Sequence, residues 1–189
     1  MVVEPESARY TVESSSEGLR ASIPARRDWL IILFLCAWLG GWFFGEVSAA
    51  KALLNPKGHS DSGFLSFWLL AWTLGGAFCV GTILWQLAGR EVLIANGSSF
   101  VHRIECFGLG WNRTYRASEV KNLRATEYSS NPFTNQRAWF PPVGGPGYGP
   151  IAFDYGARTI RVAPSLDEAE ARTLVLELSA RLPKGLNAT

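Results

Sequence analysis

Two stretches of the chain carry no charge at all. Trp29 to Gly45 (WLIILFLCAWLGGWFFG) runs 17 residues without a charged side chain, and Phe64 to Ala88 runs 25. With Glu46–Ala50 added, the first reaches 22 residues. At ~1.5 Å per helical residue these runs are roughly 26–37 Å long, enough for the ~30 Å hydrocarbon core of a bilayer. The pattern predicts two transmembrane helices at about 29–50 and 64–88. They are joined by a polar loop over 51–63, where Asn55-Pro56 and Gly58 supply turn residues. Residues 23–90 therefore read as an antiparallel transmembrane hairpin. Residues 1–22 are polar and acidic and read as a flexible tail. A cleaved signal peptide fits poorly, because the long acidic segment before the first run is unlike a short basic n-region.

Beyond the hairpin the hydrophobic period changes. Glu91–Ala95 reads as a strand, and Asn96-Gly97 signals a tight hairpin turn, because a type I′ turn needs positive φ at both central residues. Ser98–Phe107 is the partner strand, and Trp111–Arg116 the next after a break at Gly108–Gly110. Ser118–Thr126 gives another strand after one helical turn. Ile151–Asp154 and Arg158–Val162 form a last hairpin across Tyr155-Gly156-Ala157. From Ser165 the spacing becomes helical: Ala171, Leu174, Val175, Leu178 and Leu182 keep a 3/4 interval. Ser165-Leu-Asp-Glu168 reads as a capping box, and Pro183 as the stop of a helix over 165–182. Residues 129–150 form a long loop whose Pro141–Pro150 core cannot make a regular element. The expected domain spans 91–183, followed by a short tail, 184–189.

Charge sharpens this division. The whole chain has 18 basic and 16 acidic residues, a net charge of +2. Residues 29–90 hold only Lys51, Lys57, Arg90, Glu46 and Asp61. Six of the eight Trp lie in that same segment. So small a net charge argues against a general nucleic-acid binder. Arg20, Arg26, Arg27, Arg90 and Arg103 flank the two helices, against Lys51 and Lys57 between them. The positive-inside bias therefore puts the N-terminus and the C-terminal domain in the cytoplasm, at the inner membrane.

Candidate chemistry is sparse. Cys36, Cys79 and Cys106 form no C-x-x-C, and the two His, His59 and His102, do not cluster with them, so a zinc site is not expected. His102, Glu105 and Cys106 suggest no triad, because alternation along a strand turns Glu105 away from the other two. There is no P-loop or G-x-S-x-G, and Gly108-Leu-Gly110 lacks the remainder of a dinucleotide motif. No His or Met lies inside either helix to ligate haem. Catalytic, metal and cofactor residues are accordingly not assigned, and no small-molecule substrate is expected.

The helices do carry a packing signal. Gly41-x-x-x-Gly45 and Ala77-x-x-x-Gly81 let backbones approach closely in lipid, and Gly75-Gly76 extends the set. Gly41, Gly45, Gly75, Gly76 and Gly81 are the expected helix contacts, either within the hairpin or with another membrane protein or a second copy. Trp38 and Trp42 share one helical face, and Trp68 and Trp72 another. Trp38, Trp42 and Trp72 are candidate partner contacts. Arg103, Arg113, Arg116, Lys121 and Arg124 form a candidate basic surface for anionic lipid, interleaved with Glu105, Glu119 and Glu127. Trp139, Phe140 and Tyr148 in the long loop need cover from the domain, the membrane or a partner.

Short strands followed by one amphipathic helix, with Asn96-Gly97, Glu119-Val-Lys-Asn-Leu-Arg124 and Phe153-Asp-Tyr-Gly156, resemble a bacterial membrane-anchored pleckstrin-homology-like domain over residues 91–182. The resemblance implies a bent antiparallel sheet or barrel closed by the C-terminal helix, with no enzymatic activity. The Asn96–Ser99 loop departs from the phosphoinositide-binding members of the superfamily, which place Lys and Arg around it, because no basic residue occurs before Arg103. Two helices before a β-rich domain are also similar to the photosystem I assembly factor family, which implies an assembly role. The expected fold is thus a membrane α-hairpin plus an α+β domain. The expected function is a binding or scaffold module acting on a protein partner, with assembly factor or accessory subunit as the alternative.

Overall fold

A computed structural model of the protein describes residues 9–16, 18–54, 62–126 and 149–183. They fall into two units. One comprises residues 27–87, and the other combines residues 1–26 with 88–189.

The helical unit contains α1 (Trp29–Leu54) and α2 (Ser62–Ala88). Both are long and apolar enough to cross a membrane. They run further into the expected loop than the uncharged stretches suggested. A lone Lys51 at the end of α1 does not stop the helix, because a long side chain there can snorkel and suits the negative end of the helix dipole. Asp28 starts α1 by accepting the amides of Leu30 and Ile31 on Oδ1, at 3.1 and 3.3 Å. Its own amide donates to Gln86 Oε1 at 2.9 Å. Arg27 donates to the Leu87 carbonyl, one of the unpaired acceptors that end α2. Inside the helices the hydroxyls of Ser48 and Thr82 each donate to the carbonyl four residues back, which satisfies them without water.

The second unit is built on strands β1 (Thr11–Ser15), β2 (Gly18–Pro24), β3 (Gly89–Ala95), β4 (Ser99–Cys106) and β5 (Leu109–Arg116), all antiparallel neighbours in that order. A second sheet holds β6 (Val120–Ala125), β7 (Ile151–Tyr155) and β8 (Arg158–Val162). A single 3₁₀ turn, Ala117–Glu119, links the sheets, and α3 (Glu168–Ser179) ends the fold.

Residues 9–16 and 18–22 correct the expectation of a flexible tail over 1–22, whose residues 1–8 and 17 lie outside the described residues. Thr11–Ser15 and Gly18–Pro24 are strands. β2 pairs with β3 from Leu19↔Ala95 to Pro24↔Arg90, and Leu19, Ala21 and Ile23 enter the core. The alternation Leu19-x-Ala21-x-Ile23 is a half-buried strand pattern, short enough to be masked by the polar residues around it. Tyr10 is buried as well. The domain therefore begins before the helices, and the hairpin is inserted between two neighbouring strands. The expected 91–183 boundary omits β1 and β2.

The core joins both sheets and α3. Phe100 and Tyr115 meet Phe153 edge to face, at 5.1 and 5.2 Å between ring centroids. Ala171, Leu174, Val175 and Leu178 supply the buried face of α3, as the spacing predicted. Its start differs from expectation. The N-cap is Asp167, whose side chain accepts from Glu170 N, while Glu170 accepts from the Asp167 amide. The capping box is thus Asp167–Glu170 and not Ser165–Glu168, and the helix ends at Ser179, before Pro183. Glu170 also accepts the Arg9 amide, and Arg181 donates to Ser14, so the first residues are tied to the last helix.

Turn chemistry also departs from the pattern. Neither Asn96 nor Gly97 has positive φ. Instead Asn96 Oδ1 accepts from Ser98 N and Ser99 N, a side-chain-closed turn. The two-residue turn with positive φ at both positions is Phe107-Gly108, at 51° and 80°.

Candidate functional site

Along β4, residues 100, 102 and 104 face the core side of the sheet, opposite Ala95, Leu93 and Glu91 of β3. This places Glu91 and His102 on the inner face near one end of the sheet. Glu91 is 3% exposed and His102 8%. Glu91 Oε2 accepts the Ala163 amide at 2.9 Å and lies 3.4 Å from His102 Nε2. Ala163 has φ of 65°, a left-handed conformation unusual for a residue with a Cβ, and the buried carboxylate holds its amide there. Glu91 Oε1 and His102 Nε2 have no hydrogen-bond partner in this arrangement. Through the Ala163 amide Glu91 ties β3 to the segment after β8.

The outer face at the same end carries a second buried carboxylate. Glu105 is flanked by Arg90, its cross-strand partner, and by Arg103, whose Nε is 2.7 Å from Oε2. Gly110 lies opposite Glu105, where a Cβ would come within 3.0 Å of Glu105 Cβ and 2.9 Å of Arg103 Nε. A glycine there leaves room for the ion pair. Expected from sequence as neighbours without joint geometry, His102 and Glu105 indeed occupy opposite faces. Among the described residues no group of three or more His, Cys, Asp and Glu could hold a metal.

The apolar residues of β5 lose their cover along the strand. Tyr115 packs on Phe153 and Tyr155, Arg113 is half-buried, and Trp111 and Leu109 are 74% and 82% exposed. Phe107 in the turn is 69% exposed. This trio does not stand out from the sequence alone. The signal was present as Phe107-x-Leu109-x-Trp111, an alternation across a glycine turn, but exposure cannot be told from burial by alternation alone.

In the helical unit, indoles fill glycine gaps. Trp42 Nε1 donates to the Trp72 carbonyl at 3.1 Å, and a Cβ at Gly76 would lie 2.3 Å from the Trp42 ring. A Cβ at Gly45 would lie 3.8 Å from Trp72 Nε1. Trp72 stacks on Trp68 at 4.7 Å, and Trp38 tilts against Trp72 at 6.0 Å. Gly45 and Gly76 are therefore packing positions, but they meet indoles and not each other's backbone. A Cβ at Gly41, Gly75 or Gly81 would find nothing within 4 Å among the described residues. The expected approach of glycine to glycine is replaced because two large rings already occupy the interface. Trp42 and Trp72 are engaged inside the hairpin, while Trp38 remains 37% exposed. Glu46 turns across the hairpin, where Oε1 accepts from Thr73 Oγ1 at 2.5 Å.

The basic residues do not form one surface. Arg113 and Arg116 point to opposite faces of β5, and Lys121 and Arg124 belong to the other sheet. Arg116 pairs with Glu119 at 3.2 Å. Arg124 grips Asp154 through both terminal nitrogens, at 3.1 and 3.4 Å. Lys121 is exposed. Trp139, Phe140 and Tyr148 lie outside the described residues. No protein-family model matches the chain, and no curated protein or solved structure matches it.

Proposed function

We propose that this protein is a non-enzymatic, membrane-anchored binding module. In this reading α1 and α2 cross the bilayer, and the β-rich domain is presented at the cytoplasmic surface to a protein partner. One observation carries the anchoring. The two ends of the helical insertion feed β2 and β3, which are hydrogen-bonded neighbours from Leu19↔Ala95 to Pro24↔Arg90. A spanning insertion with both ends in one sheet must cross an even number of times, which two helices satisfy. The excess of arginine at these ends supports a cytoplasmic domain.

The pleckstrin-homology-like reading is supported by four antiparallel strands, β2–β5, then three, β6–β8, then a closing helix. It departs from that pattern in the extra strand β1 and in an anchor that interrupts the domain. A binding role for the domain, without catalysis, suits a buried Glu91 whose carboxylate holds the Ala163 amide.

The alternative, an assembly factor or accessory subunit, is favoured by the uncovered glycines Gly41, Gly75 and Gly81. A neighbouring transmembrane helix could approach them closely. Replacing α1 and α2 by unrelated spanning segments separates the two readings. Partners recovered in mild detergent should persist if the domain is the reader. They should be lost if the helix faces are. Recovery of none from either form would overturn both.

A further inference from the structure

We propose that the β4–β5 hairpin tip, Phe107, Leu109 and Trp111, is a third membrane contact that inserts into the polar–apolar interface of the same bilayer. The inference rests on the spanning reading of α1 and α2.

Register places the tip. Gly89 follows the last residue of α2 directly, and Gly89 is the cross-strand partner of Cys106. Cross-strand partners in such a pair have their Cα atoms about 5 Å apart. Phe107 and Gly108 then carry the chain past the end of β3, so the turn sits beside the point where the chain leaves the helix. Ala25, four residues before α1, donates its amide to the Gly89 carbonyl at 2.9 Å, which puts the other helix connection at the same sheet end. Exposure of the apolar side chains rises from Tyr115 toward this end.

The turn itself is a second, independent observation. Both of its residues have positive φ, the signature of a type I′ turn that favours Asn-Gly or Gly-Gly. Phe107 is a bulky residue in a left-handed conformation, with its ring in the open. A side chain that destabilises its own turn and buries nothing in the domain is accounted for if the ring is buried in something else. Aromatic and aliphatic groups gain most at the depth where headgroups meet acyl chains. Arg26 is exposed just beyond the same sheet end, a charge complement to anionic headgroups.

The test uses the full chain in anionic-lipid nanodiscs. Cys36→Ala, Cys79→Ala and Cys106→Ala clear the native thiols. Leu109→Cys, Leu33→Cys on α1 and Ala157→Cys in the β7–β8 turn are then labelled singly with an environment-sensitive fluorophore. The expected result is loss of iodide quenching and gain of quenching by headgroup-region nitroxide lipid at 109, with iodide access kept at 157. In the unlabelled protein, Phe107 and Trp111 should be protected from hydroxyl-radical oxidation. Phe107→Asn, which suits the turn and keeps the fold, should weaken the lipid quenching at 109. Water exposure at 109 with lipid burial at 33 overturns the proposal alone. Water exposure at both overturns the spanning reading and this inference with it. Protection at 109 without lipid quenching means that another segment or a second copy covers the tip, and also overturns it.

Discussion

Asp154 ties the second sheet together through three side chains at once. It accepts from Asn122, Thr159 and Arg124. These bonds, Asn122 first, hold its carboxyl down from the ordinary 3.8 to about 2. Asn122 reaches it from a left-handed position, φ 51°, at the irregularity between Lys121 and Arg124. A carboxylate whose pKa is lower in the folded chain stabilises the fold above its unfolded pKa. That stabilisation is lost as the pH falls from about 4 toward about 2. Asp154→Asn should therefore lower the thermal midpoint at neutral pH and flatten its fall over that acid window. Equal acid sensitivity of variant and parent would exclude the role. Glu91 has a different task. Glu91→Ala strands the buried Ala163 amide and should cost about 1–3 kcal/mol in denaturant titration of the full chain in detergent.

Among the elements, the helical hairpin makes the clearest prediction. The Trp42 ring lies 2.3 Å from where a Gly76 Cβ would be, while Gly41 has free space. Gly76→Ala should thus force the indole aside and destabilise the hairpin by about 1–3 kcal/mol, and Gly41→Ala should leave its stability unchanged. Steric-trap or thermal unfolding in detergent would compare them, and equal effects would contradict the indole-in-gap packing. α3 is controlled from its start. Its cap is Asp167, so Asp167→Ala should cost ~1 kcal/mol and Ser165→Ala close to nothing. Both glycine and cap signals were legible in the sequence as residue types. Which glycine faces a ring, and which of Ser165 and Asp167 caps, depended on how the elements dock.

At the scale of the whole molecule, the interrupted domain has a consequence for truncation. A chain starting after residue 24 keeps both long apolar helices and six of the strands, β3 to β8, but exposes the edge of β3 and uncovers Leu93 and Ala95. It should lose the protease-resistant domain that the full protein gives. A resistant fragment of unchanged size would mean that β2 is dispensable. Reporters fused before β1 and after α3 should both report the cytoplasmic side. Opposite sides would overturn the even crossing.

What the sequence determined by itself was set by local composition. Two runs without charge are long enough to span a bilayer, alternation marks β3 to β8, and a 3/4 spacing marks α3, because each pattern follows from one element's own periodicity. Tertiary structure decided what depends on pairing between distant segments. Leu19, Ala21 and Ile23 are polar-flanked and separated from β3 by the entire hairpin, so only the sheet register could reveal them as core. The same register set Glu91 beside His102 and brought Phe107 to the end of the sheet where the helices join. A side chain's neighbours across strands are fixed by hydrogen-bond pairing, which no single stretch of sequence encodes.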